Sequence, residues 1–138
     1  LKYLLDANVL LEAALRRRHW ESARDFLARV PSSDLAISTF TLHSLGFYLI
    51  RQTPEVFDAI ISDIVSRAVP VLDLEPSNLT LVTHASRTQR LDFDDAFIYT
   101  IAEMHNLKIV SFDTDFDHTP RGRHTPEQAL AELPSGAR

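Results

Sequence analysis

Apolar residues in this chain fall in short blocks that alternate with longer stretches of helical spacing. Tyr3-Leu4-Leu5, within residues 2–5, is a brief apolar run closed by Asp6, as a buried strand would be. Residues 8–15 then carry Val9, Leu10, Leu11, Ala13, Ala14 and Leu15 almost without a break, which predicts a helix packed on a sheet. Arg16-Arg17-Arg18 interrupts it. Trp20, Ala23, Phe26, Leu27 and Val30 resume a helical period over residues 19–30, and Pro31-Ser32-Ser33-Asp34 ends it.

Leu35-Ala36-Ile37-Ser38 is the second strand candidate, and residues 39–52 follow as a helix with Phe40, Leu42, Leu45, Leu49 and Ile50 on its apolar face. Thr53-Pro54 reads as an N-cap with proline in the first turn of a further helix. That helix keeps the 3.6-residue period through Phe57, Ile60, Ile61, Ile64 and Val65. Val69-Pro70-Val71-Leu72 is a weaker strand, its proline favouring a sheet edge or a strand start. Residues 76–90 predict a helix with Leu79, Leu81, Val82 and Ala85 inward. Residues 94–105 are apolar nearly all round (Ala96, Phe97, Ile98, Tyr99, Ile101, Ala102, Met104), which marks a buried helix. Residues 107–111 form the fourth strand. Thr125 and Gln128 have capping-box spacing at the start of a last short helix, which Pro134 closes, and residues 135–138 are expected to fray.

The order βαα-βαα-βα-αβ-α argues for an α/β fold with a parallel sheet and helices on both faces. Repeats, low-complexity tracts and internal linkers are absent, so residues 1–138 are read as one domain. Because Leu1 opens directly on a strand, one or a few residues are expected upstream. The net charge of −5 excludes a large basic face, so a nucleic-acid partner would have to be held by local arginines and metal. Cysteine is absent, which removes disulfides and thiolate metal sites and is compatible with the cytosol. No apolar stretch reaches the roughly 20 residues that span a bilayer, and no signal peptide is visible; a cytoplasmic protein without membrane contact is the expectation.

The chemistry sits in the acidic residues that follow these blocks. Asp6 lies between the first strand and its helix, and either caps that helix or is a functional acid, with Asn8 able to take the capping role. Asp92, Asp94 and Asp95 open the apolar helix; a cap and dipole complementation account for one or two of them better than for three. Asp95, just before Ala96-Phe97-Ile98, is expected to point inward. Asp113, Asp115 and Asp117 follow the fourth strand, as a polar turn or as a loop around a cation. That loop is no EF-hand, which needs a central glycine and a twelfth-position glutamate. Ligands of open α/β sheets bind outside the carboxyl ends of the strands, so these groups can share one pocket. Crowded carboxylates repel, and a hard divalent cation, Mg²⁺ or Mn²⁺, is the usual relief.

The six histidines show no ligand spacing and read as solvated or structural. None of the three glycines (Gly46, Gly122, Gly136) sits at a strand–helix turn, against a P-loop or a dinucleotide fold. A phosphoacceptor receiver domain also gathers aspartates at strand ends. It needs a lysine late in the sheet, whereas Lys108 begins its strand and Lys2 is the other lysine of the chain.

In their order and spacing, these segments resemble the PIN-domain family, particularly the small stand-alone ribonucleases that serve as VapC-type toxins. Leu4-Leu5-Asp6-Ala7-Asn8-Val9-Leu10 is similar to the family's opening strand and first acid, and Ile37-Ser38-Thr39-Phe40-Thr41-Leu42 to its second strand and following helix. Asp95-Ala96-Phe97-Ile98 with Ala102 resembles the third acidic motif, and Ile109-Val110-Ser111-Phe112-Asp113-Thr114-Asp115-Phe116 the fourth; Thr125-Pro126-Glu127-Gln128-Ala129-Leu130 fits the closing helix. The resemblance implies a three-layer α/β/α fold on a short parallel sheet of four to five strands, and Mg²⁺- or Mn²⁺-dependent cleavage of RNA. It implies Asp6, Asp95 and Asp113 as metal ligands, Asp115 as a supporting or alternative catalytic member, and Ser111 and Asn8 as groups orienting a carboxylate or water. It also implies a cognate antitoxin, whose peptide would lie along a groove and block the pocket, and a homodimer formed through helices such as those around Phe47–Ile50 and Phe57–Ile61. Arg16–Arg18, Arg87 and Arg90 are candidates to steer RNA phosphates. Asp94 is an extra carboxylate without an assigned part.

One position departs from the family pattern. The frame Thr-Leu-x-Glu-Leu reads Thr41-Leu42-His43-Ser44-Leu45 here, so Ser44 stands where the family carries a glutamate, and His43 faces roughly 100° away around the helix. A catalytically weakened PIN fold acting as a binding or regulatory module is therefore the second reading.

Overall fold

The computed structural model describes residues 1–134, so the expected fraying of residues 135–138 lies outside the described residues. Strands β1 (Tyr3–Leu5), β2 (Leu35–Ser38), β3 (Val71–Leu72) and β4 (Lys108–Val110) form one parallel sheet in the order β3-β2-β1-β4. Among the described residues, a single parallel bridge from Val110 to His124 stands where a fifth strand would lie. β3 is an edge strand, as Pro70 suggested, and keeps only two residues. The helices between the strands are α1 (Ala7–Leu15), α2 (Trp20–Arg29), α3 (Thr39–Leu49), α4 (Pro54–Ser66), α5 (Leu79–Gln89) and α6 (Phe93–His105), and α7 (Pro126–Ala131) follows β4.

The two-residue period of the strands sorts the core into two layers. Tyr3, Leu5, Leu35, Ile37 and Val110 face the cluster built with α1, α2, α3, α4 and α7. Leu4, Ala36 and Ile109 face the opposite cluster, built with α5 and α6. Helices thus cover both faces, and every strand residue of β1 and β2 is buried. Eight consecutive residues of α6, Asp95 to Ala102, are buried, whereas Phe93 and Met104 at its ends are exposed.

Several residues expected to point inward do not. Ile50, Val65 and Leu81 are exposed because each sits next to a buried neighbour (Leu49, Ile64, Val82) and so about 100° around the helix. Leu79 is exposed as the first residue of α5, where residues 76–78 form a 3-10 turn rather than helix. Thr53 occupies the N-cap position of α4 without a side-chain capping bond. Thr125 and Gln128 do form the reciprocal capping box of α7, at 3.1 and 2.9 Å.

Four helix ends turn through the left-handed region without glycine, at Arg16, Ala68, Arg90 and Asn106. After α4, the Val69 N–H donates to Ile64 O and the Ala68 N–H to Val65 O, the paired bonds of a Schellman stop. Ala68 holds φ 54° there, which strains a Cβ. We expect Ala68→Gly to stabilise the protein by roughly 0.5–1 kcal/mol in urea melts, because relief of strain outweighs the added freedom of the unfolded chain. A loss of stability would show that the turn is not strained.

Candidate active site

The parallel sheet brings the carboxyl ends of β1, β2 and β4 to one edge, with the N-terminus of α6 alongside. β1 lies between β2 and β4, so the β1–β4 boundary is where the strand order reverses and a crevice opens. Asp6 leaves β1 there with its N–H still donating to Val110 O of β4, 3.0 Å away. Its side chain caps α1 through Oδ1, which accepts the Ala7 N–H at 2.7 Å. The capping role therefore falls to Asp6 and not to Asn8. Asp6 Oδ2 remains turned toward the crevice side of β4, accepting the Ser111 hydroxyl at 2.8 Å and the Asn8 amide at 3.4 Å.

Ser111 is fully buried and organises this corner. Its hydroxyl donates to Asp6 and accepts from the Asp113 N–H (2.9 Å) and the Asn8 amide (3.1 Å). Asn8 Oδ1 in turn accepts the Phe112 N–H at 3.2 Å. The loop after β4 is thus tied to α1, and it continues into a 3-10 turn in which Asp113 accepts the Asp115 N–H at 2.8 Å. Asp117 is turned away: it pairs with Arg123 at 2.9 and 3.2 Å. Asp92 stands at the N-cap position of α6 with no side-chain capping bond, and Asp94 and Asp95 lie in its first turn.

Asp6, Ser44, Asp94, Asp95 and Asp113 all line one cavity of about 190 Å³, with Asn8 beside them. Among the described residues, the three carboxylates with oxygens within 4.8 Å of one another are Asp95, Asp113 and Asp115. The expected trio of Asp6, Asp95 and Asp113 shares this cavity, Asp115 lies close to Asp95 and Asp113, and Asp6 is held at the β1 side by its capping bond. Burial pushes the Asp6 carboxyl up to about 6 against the opposing hydrogen bonds from Ser111 and Ala7, with Asp113 and Asp94 adding to the rise. Asp95 is pushed up to about 8, chiefly by burial and then by the charges of Asp113, Asp94, Asp6 and Asp115. Four acidic neighbours acting on one buried carboxyl describe a site with an unmet demand for positive charge.

A model of the PIN domain matches residues 3–122. The chain belongs to the PIN-domain family. None of the curated proteins matches its sequence. Among solved structures, a toxin-antitoxin complex from Klebsiella pneumoniae matches with 22% identity and a TM-score of 0.70, over 91% of this chain and 98% of that one. PAE2754 from Pyrobaculum aerophilum matches with 24% identity and a TM-score of 0.67, over 95% of each chain. VapBC2 from Rickettsia felis, bound to a DNA fragment from its promoter, matches with 18% identity and a TM-score of 0.70, over 89% and 96%. No described helix of this PIN domain is long and apolar enough to cross a membrane.

Of the candidate arginines, Arg17 lines the PIN cavity, and Tyr48 lines it without having been singled out from the sequence. Phe40, Ser44 and Tyr48 recur every four residues on α3 and line the cavity together, a spacing that sequence alone displays. Arg16 stacks over Trp20, and Arg87 lines a depression along α5. His43 lines a separate groove with Phe47 and Phe57 and so takes no part in the acidic cavity.

Proposed function

We propose that this PIN-domain protein is an endoribonuclease that hydrolyses RNA phosphodiesters with Mg²⁺ or Mn²⁺, and that it is the toxin of a toxin-antitoxin pair. The observation that carries the reading is the convergence of Asp6, Asp94, Asp95 and Asp113, remote in sequence, on one cavity. PIN domains are generally nucleases that work with a divalent metal, and the donor set here suits one. It is made of carboxylate oxygens alone, which favours hard cations, and its buried member Asp95 is pushed toward protonation by burial and then by the surrounding acidic charges. Asp95, Asp113 and Asp115 would hold the ion, with Asp6 completing the set. When bound, the ion polarises the phosphodiester and lowers the pKa of a coordinated water.

The protein's own groups supply the rest. Ser111 and Asn8 fix the Asp6 carboxylate so that it cannot rotate away from the cavity. Asp94 lies exposed at the mouth and adds negative charge without being part of the tight trio. Protons held on Asp95 and Asp6 must leave for a cation to be bound fully, so Mn²⁺ affinity is expected to rise with pH between about 5 and 8.

The antitoxin reading is supported by likeness to chains from toxin-antitoxin complexes and by an apolar groove. Leu10, Ala13, Leu27, Val56 and Ile60 line it between α1, α2 and α4. Asp6 caps the N-terminus of α1, so a peptide lying along that groove could continue into the acidic cavity. A homodimer through α3 is supported by the exposure of Phe47 and Ile50. The protein would act in the cytosol, where its RNA is.

Ser44 favours a second reading, a binding or regulatory module on the same fold, because the cavity corner it lines carries no charge. Incubation of purified protein with structured RNA and Mn²⁺, beside Asp6→Asn, separates the two. Cleavage that needs Mn²⁺ and is lost in the variant supports the nuclease. Cleavage equal in both, or absent from wild type, favours the module.

A further inference from the structure

A guanidinium is built into the loop that carries two of the site's acids. Arg123 donates through Nε and one Nη to the two carboxylate oxygens of Asp117, at 2.9 and 3.2 Å, in a bidentate fork. Its other Nη donates to the Ser111 carbonyl at 3.1 Å. The loop leaves β4 at Ser111, and Asp117 ends the 3-10 turn that follows. Asp113 and Asp115 lie between these anchors, so one side chain ties together both ends of the segment that presents them. The backbone that delivers Arg123 is itself fixed. The Thr119 hydroxyl donates to Phe116 O and accepts the Gly122 N–H, and Gly122 turns the chain back at φ 63°, where a Cβ would be strained. The chain then runs beside β4: the His124 N–H donates to Ile109 O at 2.8 Å and the Ser111 N–H to His124 O at 3.0 Å. The Arg123 side chain is 14% exposed, against 55% for Asp117, so the fork is held from the sheet side.

We propose that Arg123 is a positioning residue which, through Asp117 and Ser111, presets the Asp113–Asp115 loop to receive the cation. The inference rests on the metal-dependent reading above and adds a residue to its machinery. Carboxylates gathered without a cation repel, and a loop free to yield would carry Asp113 and Asp115 away from Asp95. The clamp opposes that movement by fixing both loop ends to one planar group. It also neutralises Asp117 and keeps that carboxylate turned away. Because the Ser111 hydroxyl holds Asp6, the same guanidinium steadies the support of the β1 acid. A partly exposed ion pair contributes little to global stability, whereas a group that orients metal ligands typically changes affinity by about ten- to a hundredfold. A small effect on melting beside a large effect on the ion is therefore the mark of this role.

Mn²⁺ binding to the protein is measured by titration calorimetry without RNA. Arg123→Ala and Asp117→Ala are each expected to weaken it about tenfold, and the double variant no further than Arg123→Ala alone. Net charge by itself predicts opposite signs, with tighter binding on losing Arg123 and weaker binding on losing Asp117. Arg123→Lys keeps the charge without the fork and should recover only part of the loss. In EDTA, the Asp113 and Asp115 amides, which donate to Ser111 Oγ and Asp113 Oδ1, should exchange about fivefold faster in Arg123→Ala, with those of α6 unchanged. With RNA, the Mn²⁺ concentration for half-maximal cleavage should rise about tenfold, while the rate at saturating Mn²⁺ stays within about twofold. Unchanged Mn²⁺ affinity in either variant, or tighter binding in Arg123→Ala, overturns the clamp, and the nuclease stands if wild type cleaves. If both variants weaken Mn²⁺ binding but wild type cleaves no RNA, the clamp stands and the nuclease falls. A wild type that binds no Mn²⁺ overturns both. Should Arg123→Ala fail to fold, Asp117→Ala decides, because Asp117 is exposed and its loss leaves the bond to Ser111 in place.

Discussion

Asp95→Asn is expected to reduce metal-dependent RNA cleavage by roughly 10³-fold or more, and at the same time to raise the melting temperature of the ion-free protein near neutral pH. The two effects have one cause. Asp95 is buried at the start of α6 among the charges of Asp113, Asp94, Asp6 and Asp115, and its carboxyl is pushed up to about 8. The folded chain therefore keeps a proton that the unfolded chain gives up near its ordinary value of 3.8. Between those values the folded state binds more protons, so this residue's contribution to stability falls as pH rises. Below about pH 4 both states are protonated and the penalty disappears. An asparagine cannot ionise and escapes it.

Melts in EDTA at several pH values check this directly. The gap between Asp95→Asn and wild type should be near zero at pH 4 and should widen toward pH 8, each kcal/mol moving Tm by roughly 3–6 °C. Asp6→Asn should give a smaller gap that stops widening near pH 6, because its carboxyl is raised only to about 6. That variant also loses an acceptor for Ala7 or for Ser111, which offsets part of the gain. Added Mn²⁺ should stabilise wild type and leave Asp95→Asn nearly unmoved. A pH-independent gap, or a variant less stable than wild type at pH 8, would mean that Asp95 is not held among unneutralised charges.

The layered fold was legible because its signals are local. Short apolar runs closed by polar residues mark the strands, and the alternation within Tyr3-Leu4-Leu5 already divides the two core faces. What failed were single positions next to a buried residue, such as Val65 beside Ile64, since a few apolar residues on a helix cannot fix its rotation to within 100°. The acidic cavity was half legible. That acids at the ends of β1 and β4 should meet follows from a parallel sheet, and Ser111 and Asn8 could be named as their polar supports. Which carboxylates come closest could not be read. Capping pins Asp6 to α1, and the 3-10 turn after β4 carries Asp115 toward Asp95 while Arg123 draws Asp117 away. Those choices are made by contacts one to six residues long, whose exact geometry neither composition nor periodicity fixes. Tyr48 escaped notice for the opposite reason: in sequence it is one more aromatic residue of an apolar helix, and only its exposure beside the cavity sets it apart.

Ser44→Glu is expected to tighten Mn²⁺ binding roughly 10–100-fold and to increase cleavage at limiting metal. Ser44 is half-buried on α3, lines the cavity with Asp6, Asp94, Asp95 and Asp113, and brings no charge to its corner. A carboxylate there adds a hard oxygen ligand for the cation and, without the cation, another repelling charge. The variant should therefore melt lower than wild type in EDTA at about pH 8 and gain more from saturating Mn²⁺, so that the order of stability reverses on adding metal. The reversal is the informative part, because a substitution that merely disturbed α3 would lower Tm in both conditions. Ser44→Gln, of similar size and uncharged, should show neither the EDTA penalty nor the tighter binding. If Glu and Gln behave alike, the Ser44 corner lies outside the reach of the bound ion, and the acids already present at the ends of β1, β4 and the start of α6 make up the whole of the metal site.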